Sequence, residues 1–325
     1  MGAKAVGLGQ AIDRSLADKV HDRFSQAQGG HGRKVTVGAG PELRCAGLSS
    51  RRVGDPGAIS KHTQQIAGIP VFWRSAQAPG APVLFVHGVP ESSDQWLGFL
   101  ARTGGLAPDL PGFGRSAKRA DWPYSIEGYR SFLTAFLDHL EVGRYRLVVH
   151  DWGGVGLALA QAAPERVERL VVVNAVPLLP GYRWHRMARI WRTRGLGELF
   201  MGATNRWTLR QISRESNATP GPLPPEMLDS VWAHFDQGTQ RATLRLYRSA
   251  PPTVLAAAGE RLGDIEAPSL VLWGAQDPYI PTRFAHDYAE RLPNAELELV
   301  QDAGHWPWLD QPRVIDRVVE FLGDR

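Results

Sequence analysis

At 325 residues, 43% apolar and 22% charged, the chain can bury one large core and has the composition of an ordinary globular protein, with no stretch approaching the roughly 18 apolar residues of a membrane span. Its single cysteine, Cys45, excludes an internal disulfide and a cysteine-built metal cluster and is expected to be an inert thiol. The formal charge of +4 is too small an excess to argue for a nucleic-acid partner, and the nearest thing to a basic stripe, Arg183, Arg186, Arg189, Arg192 and Arg194, has the spacing of a solvated helical face.

Residues 1–62 are rich in Gly, Arg, Ser and Gln and poor in aromatics, with no sustained period beyond a helical one over Ala11 to Phe24. They are expected to form a mostly disordered extension. The Gly7-Leu8-Gly9 sequence follows no strand and lacks a third glycine, so it carries no nucleotide expectation. No apolar core with a small-residue cleavage site opens the chain, which makes a cytoplasmic protein without a membrane partner the default.

From His62 strands and helices alternate. His62 to Ala67 and Ile69 to Arg74 form an expected hairpin about Ala67-Gly68. Pro82 to His87, Arg146 to His150, Arg169 to Asn174, Ser269 to Gly274 and Glu296 to Val300 are short apolar runs of the buried-strand type. Helical patterns cover Ser125 to Leu140, Val155 to Ala163, Thr282 to Leu292 and Pro312 to Leu322. This alternation predicts an α/β fold with a mainly parallel sheet flanked by helices. Residues 178–263 break the rhythm with Arg, Trp and Leu and no buried strand. They predict a helical cap between two core segments, 63–177 and 264–325, over the strand ends where open α/β sheets bind ligands.

The segment VVHDWGGVG, Val148 to Gly156, runs an apolar strand into a tight turn and a helix. Such a turn lifts its central side chain, here Asp151, clear of the sheet, although an Asp there can also simply cap the helix. Two later strand ends supply partners: Asp277 in WGAQDPYIP and His305 in DAGHWPWLDQP. Nucleophile, acid and histidine follow in the order known for triads on this kind of sheet. In HGVPESSDQW, His87 to Trp96, Gly88 lets the backbone turn so that the Val89 amide, with that of Trp152, can form an oxyanion hole. Asp109 in DLPGFGRS is expected to be structural. Asp302 is a second acid close to His305 in sequence.

Together these motifs resemble the α/β-hydrolase superfamily, and in particular its aspartate-nucleophile branch of epoxide hydrolases and haloalkane dehalogenases, over about residues 64–325. The resemblance implies an α/β-hydrolase fold with a cap inserted after the sixth strand. It also implies Asp151 as nucleophile, His305 as base, Asp277 as its partner, and the Val89 and Trp152 amides as oxyanion donors. Some relatives carry the acid after the strand following the nucleophile's helix, but here that strand ends at Asn174-Ala175, neither of them acidic.

A carboxylate suits displacement at saturated carbon, giving an alkyl ester that His305 can hydrolyse through a water. Epoxides and carbon–halogen bonds are the leading electrophiles, carried on a small apolar or amphipathic substrate, and no metal or organic cofactor is required. An opening epoxide needs a proton, and LYRS, Leu246 to Ser249, resembles the cap segment around such a donor and proposes Tyr247, with Tyr182 a second candidate. A halide needs donors such as indole N–H groups, for which Trp152, Trp184, Trp191, Trp207 and Trp232 are available. The HGVPES form favours epoxide hydrolase, with haloalkane dehalogenase the alternative. A slow ligand-binding member of the fold is the reading from another class.

Overall fold

A computed structural model describes residues 58–323. Cys45, the Ala11 to Phe24 pattern and nearly all of the expected extension lie outside the described residues. The last three positions of that extension belong to the core instead, because strand β1 already begins at Ser60.

Strands β1 (Ser60–Ile66) and β2 (Ile69–Ala76) form the expected hairpin. Its two-residue connection, Ala67 at φ 50° and Gly68 at φ 77°, has the positive φ pair that matches strand twist. Then follow β3 (Val83–Val86), helix α1 (Leu97–Thr103), β4 (Gly105–Pro108), α2 (Ile126–His139), β5 (Tyr145–Asp151), α3 (Val155–Ala162) and β6 (Val167–Ala175). Six α-helices separate β6 from the next strand: α4 (Arg186–Arg192), α5 (Leu196–Ala203), α6 (Arg206–Ile212), α7 (Pro225–His234), α8 (Gln237–Ser249) and α9 (Pro252–Ala258). The chain ends with β7 (Ser269–Gly274), α10 (Arg283–Arg291), β8 (Ala295–Val300), α11 (Pro307–Asp310) and α12 (Arg313–Leu322).

The eight strands lie in the order β1-β2-β4-β3-β5-β6-β7-β8, antiparallel at β1/β2 and β2/β4 and parallel from β4 onward. This is the mainly parallel, helix-flanked sheet that the alternation of elements implied, with the helical insertion after the sixth strand that the resemblance to α/β-hydrolases implied. The two-residue side-chain period of a strand explains why the buried strands read as unbroken apolar runs, since both of their faces are covered. Leu84, Val86, Leu147, Val149, Val271 and Trp273 pack with α2, α3 and α10. The alternate residues Val83, Phe85, Val148, Leu270 and Leu272 pack with α1 and α12. Helix α2 starts where Ser125 accepts from the Gly128 amide at 3.1 Å, an N-cap that satisfies one of the free amides of the first turn.

Two kinds of element escaped the pattern. Strand β4 is Gly-Leu-Ala-Pro, four residues bounded by poor strand formers, and it exists because β2 and β3 flank it on both sides. Helices α1 and α11 are seven and four residues long, too short to display a period. Phe136 on α2 is fully buried and meets Trp73 edge-on at 5.7 Å. Phe136→Ala is expected to cost about 3–5 kcal/mol of stability, read from the urea midpoint, with turnover unchanged at temperatures where the variant stays folded.

Candidate active site

Strand β5 delivers Asp151 to a turn in which its backbone stands at φ 49°, ψ −125°. A non-glycine residue takes such a conformation only when its surroundings over-determine it. They do so here through close approach: a Cβ at Gly153 would lie 2.0 Å from the Val86 carbonyl oxygen, and one at Gly88 would lie 2.6 Å from Asp151 Cβ. Asp151 makes no helix-capping bond. Its Oδ1 instead accepts the Val89 amide at 2.8 Å, and the Trp152 amide also favours the charged carboxylate.

The loop after β8 brings His305 to the other oxygen, with Nε2 3.6 Å from Asp151 Oδ2. Nδ1 of the imidazole donates to Asp277 Oδ2 at 2.8 Å. The Asp277 carboxylate is held by the amides of Tyr279 and Ile280, at 2.7 and 3.1 Å, and by Asn174 Nδ2 at 2.7 Å. Asn174, at the end of β6 with φ 38°, thus supports the acid. Asp302 is exposed, and it is Asp277 that meets the imidazole.

The His305 loop is braced from three sides. His150 Nε2 donates to the His305 carbonyl at 2.9 Å. The His305 amide donates to the Ser216 carbonyl of the cap at 2.8 Å. Asp310 accepts from Gly304 on this loop and from Ala218 and Thr219 on the cap, at 2.8 to 3.0 Å. Asp109 is structural, as expected: it is fully buried and accepts the amides of Ser93 and Arg115.

Burial and charge work against each other here. Burial disfavours the His305 cation, yet Asp277 and then Asp151 outweigh it and push the imidazole up to about 9. Burial, followed by the Asp151 charge, pushes Glu91 up to about 8, while both Glu91 oxygens lack a hydrogen-bond partner. Asp151 itself is raised by its burial, against the pull of His305 and the two amides. His150, buried and beside His305, lies well below the ordinary histidine range and is neutral.

Asp151 and His305 open into a cavity of about 110 Å³ roofed by cap side chains, with no lysine or arginine on its walls. Tyr247 and Tyr182 both line it. Burial and the Asp151 carboxylate hold both phenols well above the ordinary tyrosine value. Of the tryptophans, Trp191 reaches the cavity with an unpartnered N–H, and Trp152, whose N–H is also unpartnered, packs edge-on against Tyr247 behind the lining. Trp184 reaches the cavity too, but its N–H is already donated to the Ala250 carbonyl at 2.9 Å. Trp207 is 66% exposed and Trp232 stacks on Phe235; neither lines the cavity.

Glu91, His185 and Tyr279 also line the cavity and were not singled out by their motifs. Glu91 stands two residues after Val89 in the HGVPES segment, and its burial beside Asp151 is decided by packing that no spacing in that segment encodes. Among the described residues no group of three His, Cys, Asp or Glu is arranged to hold a metal ion, and no helix is long and apolar enough to cross a membrane.

A family model described as the α/β hydrolase fold matches residues 81–312. The haloalkane dehalogenase of Mycolicibacterium paratuberculosis is 32% identical over 222 residues, spanning 62% of this chain and 69% of its own. The crystal structure of haloalkane dehalogenase DbeA from Bradyrhizobium elkani superposes with a TM-score of 0.70 at 28% identity, over 81% of this chain and 96% of that one. The epoxide hydrolase CorEH shares the fold at a TM-score of 0.70 and 22% identity, over 81% of this chain and 98% of its own.

The elevated Glu91 has a consequence for stability. Between its ordinary value of 4.5 and about 8, the folded chain keeps a proton that the unfolded chain releases, so this group's stabilising contribution is lost as pH rises through that window. Glu91→Gln lacks the titration. Thermal unfolding across the window is expected to show the variant's melting temperature minus the wild type's rising with pH, and a difference that stays constant or falls would contradict the assignment.

Proposed function

The chain belongs to the α/β-hydrolase family and is a hydrolase of the haloalkane dehalogenase and epoxide hydrolase type, and from that premise we propose that it is an epoxide hydrolase working through a covalent ester on Asp151. The observation that carries this reading is the pair of phenols, Tyr247 and Tyr182, lining the cavity beside the Asp151 carboxylate. Both stay protonated through the physiological range and can donate to an oxygen that becomes an alkoxide.

The two oxygens of Asp151 differ in their surroundings, and so do their roles. Oδ2, free of the Val89 amide and facing His305, attacks an epoxide carbon; the ring C–O bond breaks and the alkoxide takes the proton of Tyr247. Ester formation removes the Asp151 charge, one of the influences that hold His305 high. The imidazole pKa therefore falls toward the range useful to a base just when one is needed. His305 Nε2 then takes a proton from a water that attacks the ester carbon. The developing oxyanion on Oδ1 is stabilised by the Val89 and Trp152 amides, and Asp277 stabilises the imidazolium through the Nδ1 bond. Collapse breaks the acyl C–O bond, the diol leaves with the proton held by His305, and the water's second proton passes from the Asp151 carboxyl to the Tyr247 phenolate, which restores both the carboxylate and the phenol.

Haloalkane dehalogenation is the second reading, and the indoles of Trp152 and Trp191, both packed against the Tyr247 ring and both with an unpartnered N–H, favour it. A departing halide needs donors without proton transfer.

Mass spectrometry of a His305→Gln variant separates the two, because the first step proceeds and the second stalls. An adduct on the Asp151 peptide equal in mass to a whole epoxide supports the proposal. Adducts from haloalkanes alone, each lacking hydrogen halide, support the second reading. No adduct from either panel with a folded variant, beside an active wild type, would sink the aspartate mechanism. In the same terms, Tyr247→Phe is expected to slow epoxide opening by about 10²-fold or more while sparing alkylation by a haloalkane.

A further inference from the structure

Five large apolar side chains are exposed among the described residues, and three of them, Leu196, Leu199 and Trp207, fall within two consecutive helices of the cap, α5 and α6. Leu199 and Trp207 are 60% and 66% exposed. Leu196 and Leu199 are three residues apart and share one face of α5. The rest of the same helices faces the other way: Phe200 and Met201 of α5, and Leu209 and Ile212 of α6, line the cavity over Asp151. These two helices are therefore a wall with apolar side chains on both sides.

The charge along this segment is mostly positive. Residues 183–215 hold eight arginines and two glutamates, a larger excess than the +4 of the entire chain. Both glutamates are already paired, Glu198 with Arg248 and Glu215 with Arg186. Among the described residues no carboxylate pairs with Arg183, Arg189, Arg194, Arg210 or Arg214, all of which are exposed. Exposed arginines therefore flank the exposed leucines and tryptophan along the chain, Arg194 just before α5 and Arg210 one turn after Trp207 on α6.

We propose that the outward face of α5 and α6 docks on an anionic lipid bilayer. Tryptophan and leucine enter the boundary between headgroups and acyl chains while arginines meet the lipid phosphates, the arrangement by which peripheral proteins adsorb to membranes. Adsorption needs no spanning helix, so the absence of a span among the described residues leaves it open. The opposite faces of the same helices roof an apolar cavity without a cation, which suits a substrate that dissolves in lipid. Docking would hold the cavity wall against the phase where such a molecule is concentrated. The docking itself does not depend on which bond the enzyme breaks.

The test is co-sedimentation of the full chain with vesicles of phosphatidylcholine alone or with about one lipid in four replaced by phosphatidylglycerol. The expected result is binding to the anionic vesicles, weak binding to the neutral ones, and release by high salt, which screens the arginines. A Leu199→Ser, Trp207→Ser double variant is expected to lose about tenfold or more in partitioning, and Arg194→Glu with Arg210→Glu to lose it likewise. Both variants should keep the wild-type circular dichroism, melting profile and turnover of a water-soluble substrate, because none of the four residues lines the cavity. Failure to bind anionic vesicles would overturn the proposal. So would binding that both variants retain, which would assign it to another part of the chain. Capture by polyglutamate but not by vesicles would make the face a site for an acidic protein and overturn it as well.

Discussion

The backbone of Asp151 is the constraint on which the rest of the site depends. A residue with a side chain is held at positive φ between a buried strand and a helix, and this orientation turns the carboxylate out of the sheet. It is held because β5 lies between two parallel neighbours and cannot slip, while Gly153 allows the next turn to pass within 2.0 Å, measured from its missing Cβ, of the Val86 carbonyl. The same crowding brings the Val89 amide to Oδ1 and leaves Oδ2 facing the imidazole. One strained residue therefore sorts two chemically identical oxygens into different surroundings.

Around it the protein buries more ionisable groups than a single imidazolium can neutralise. Asp151, Glu91 and Asp277 all act on His305, and burial makes each charge costly. The outcome is a shared electrostatic balance in which His305 and Glu91 both sit above their ordinary ranges. A balance of this kind responds sharply to any change at Asp151. Asn174 and two backbone amides hold Asp277 in place, so the changes fall on the imidazole and on Glu91.

The cap is joined to this machinery by more than coverage. Asp310 accepts amides from both the His305 loop and cap residues Ala218 and Thr219, and the His305 amide reaches Ser216. A carboxylate with three backbone donors is a strong tie, and it means that the walls of the cavity and the position of the base are set together. Among the described residues no hydrogen bond ties α5 or α6 to the His305 loop, and Phe200, Met201, Leu209 and Ile212 of these helices line the cavity.

Much of the fold was legible in the sequence because its causes are local. Buried strands such as Ser269 to Gly274 need unbroken apolar runs, Ser125 caps the helix that follows it, and Ala67-Gly68 supplies the turn of the first hairpin. The three side chains singled out at strand ends, Asp151, Asp277 and His305, meet at 2.8 and 3.6 Å, since strand ends in a parallel sheet must lie side by side. What the sequence by itself determined is thus the set of groups that alternation and turn chemistry force to one edge. What only the tertiary structure decided is everything that depends on helices meeting through space. Tyr182 and Tyr247, 65 positions apart in number, line one cavity; the Trp184 N–H is consumed by Ala250; Trp207 turns outward; and Glu91 is buried beside Asp151. No period or spacing encodes these outcomes, because the packing of short cap helices against one another sets which face of each is buried.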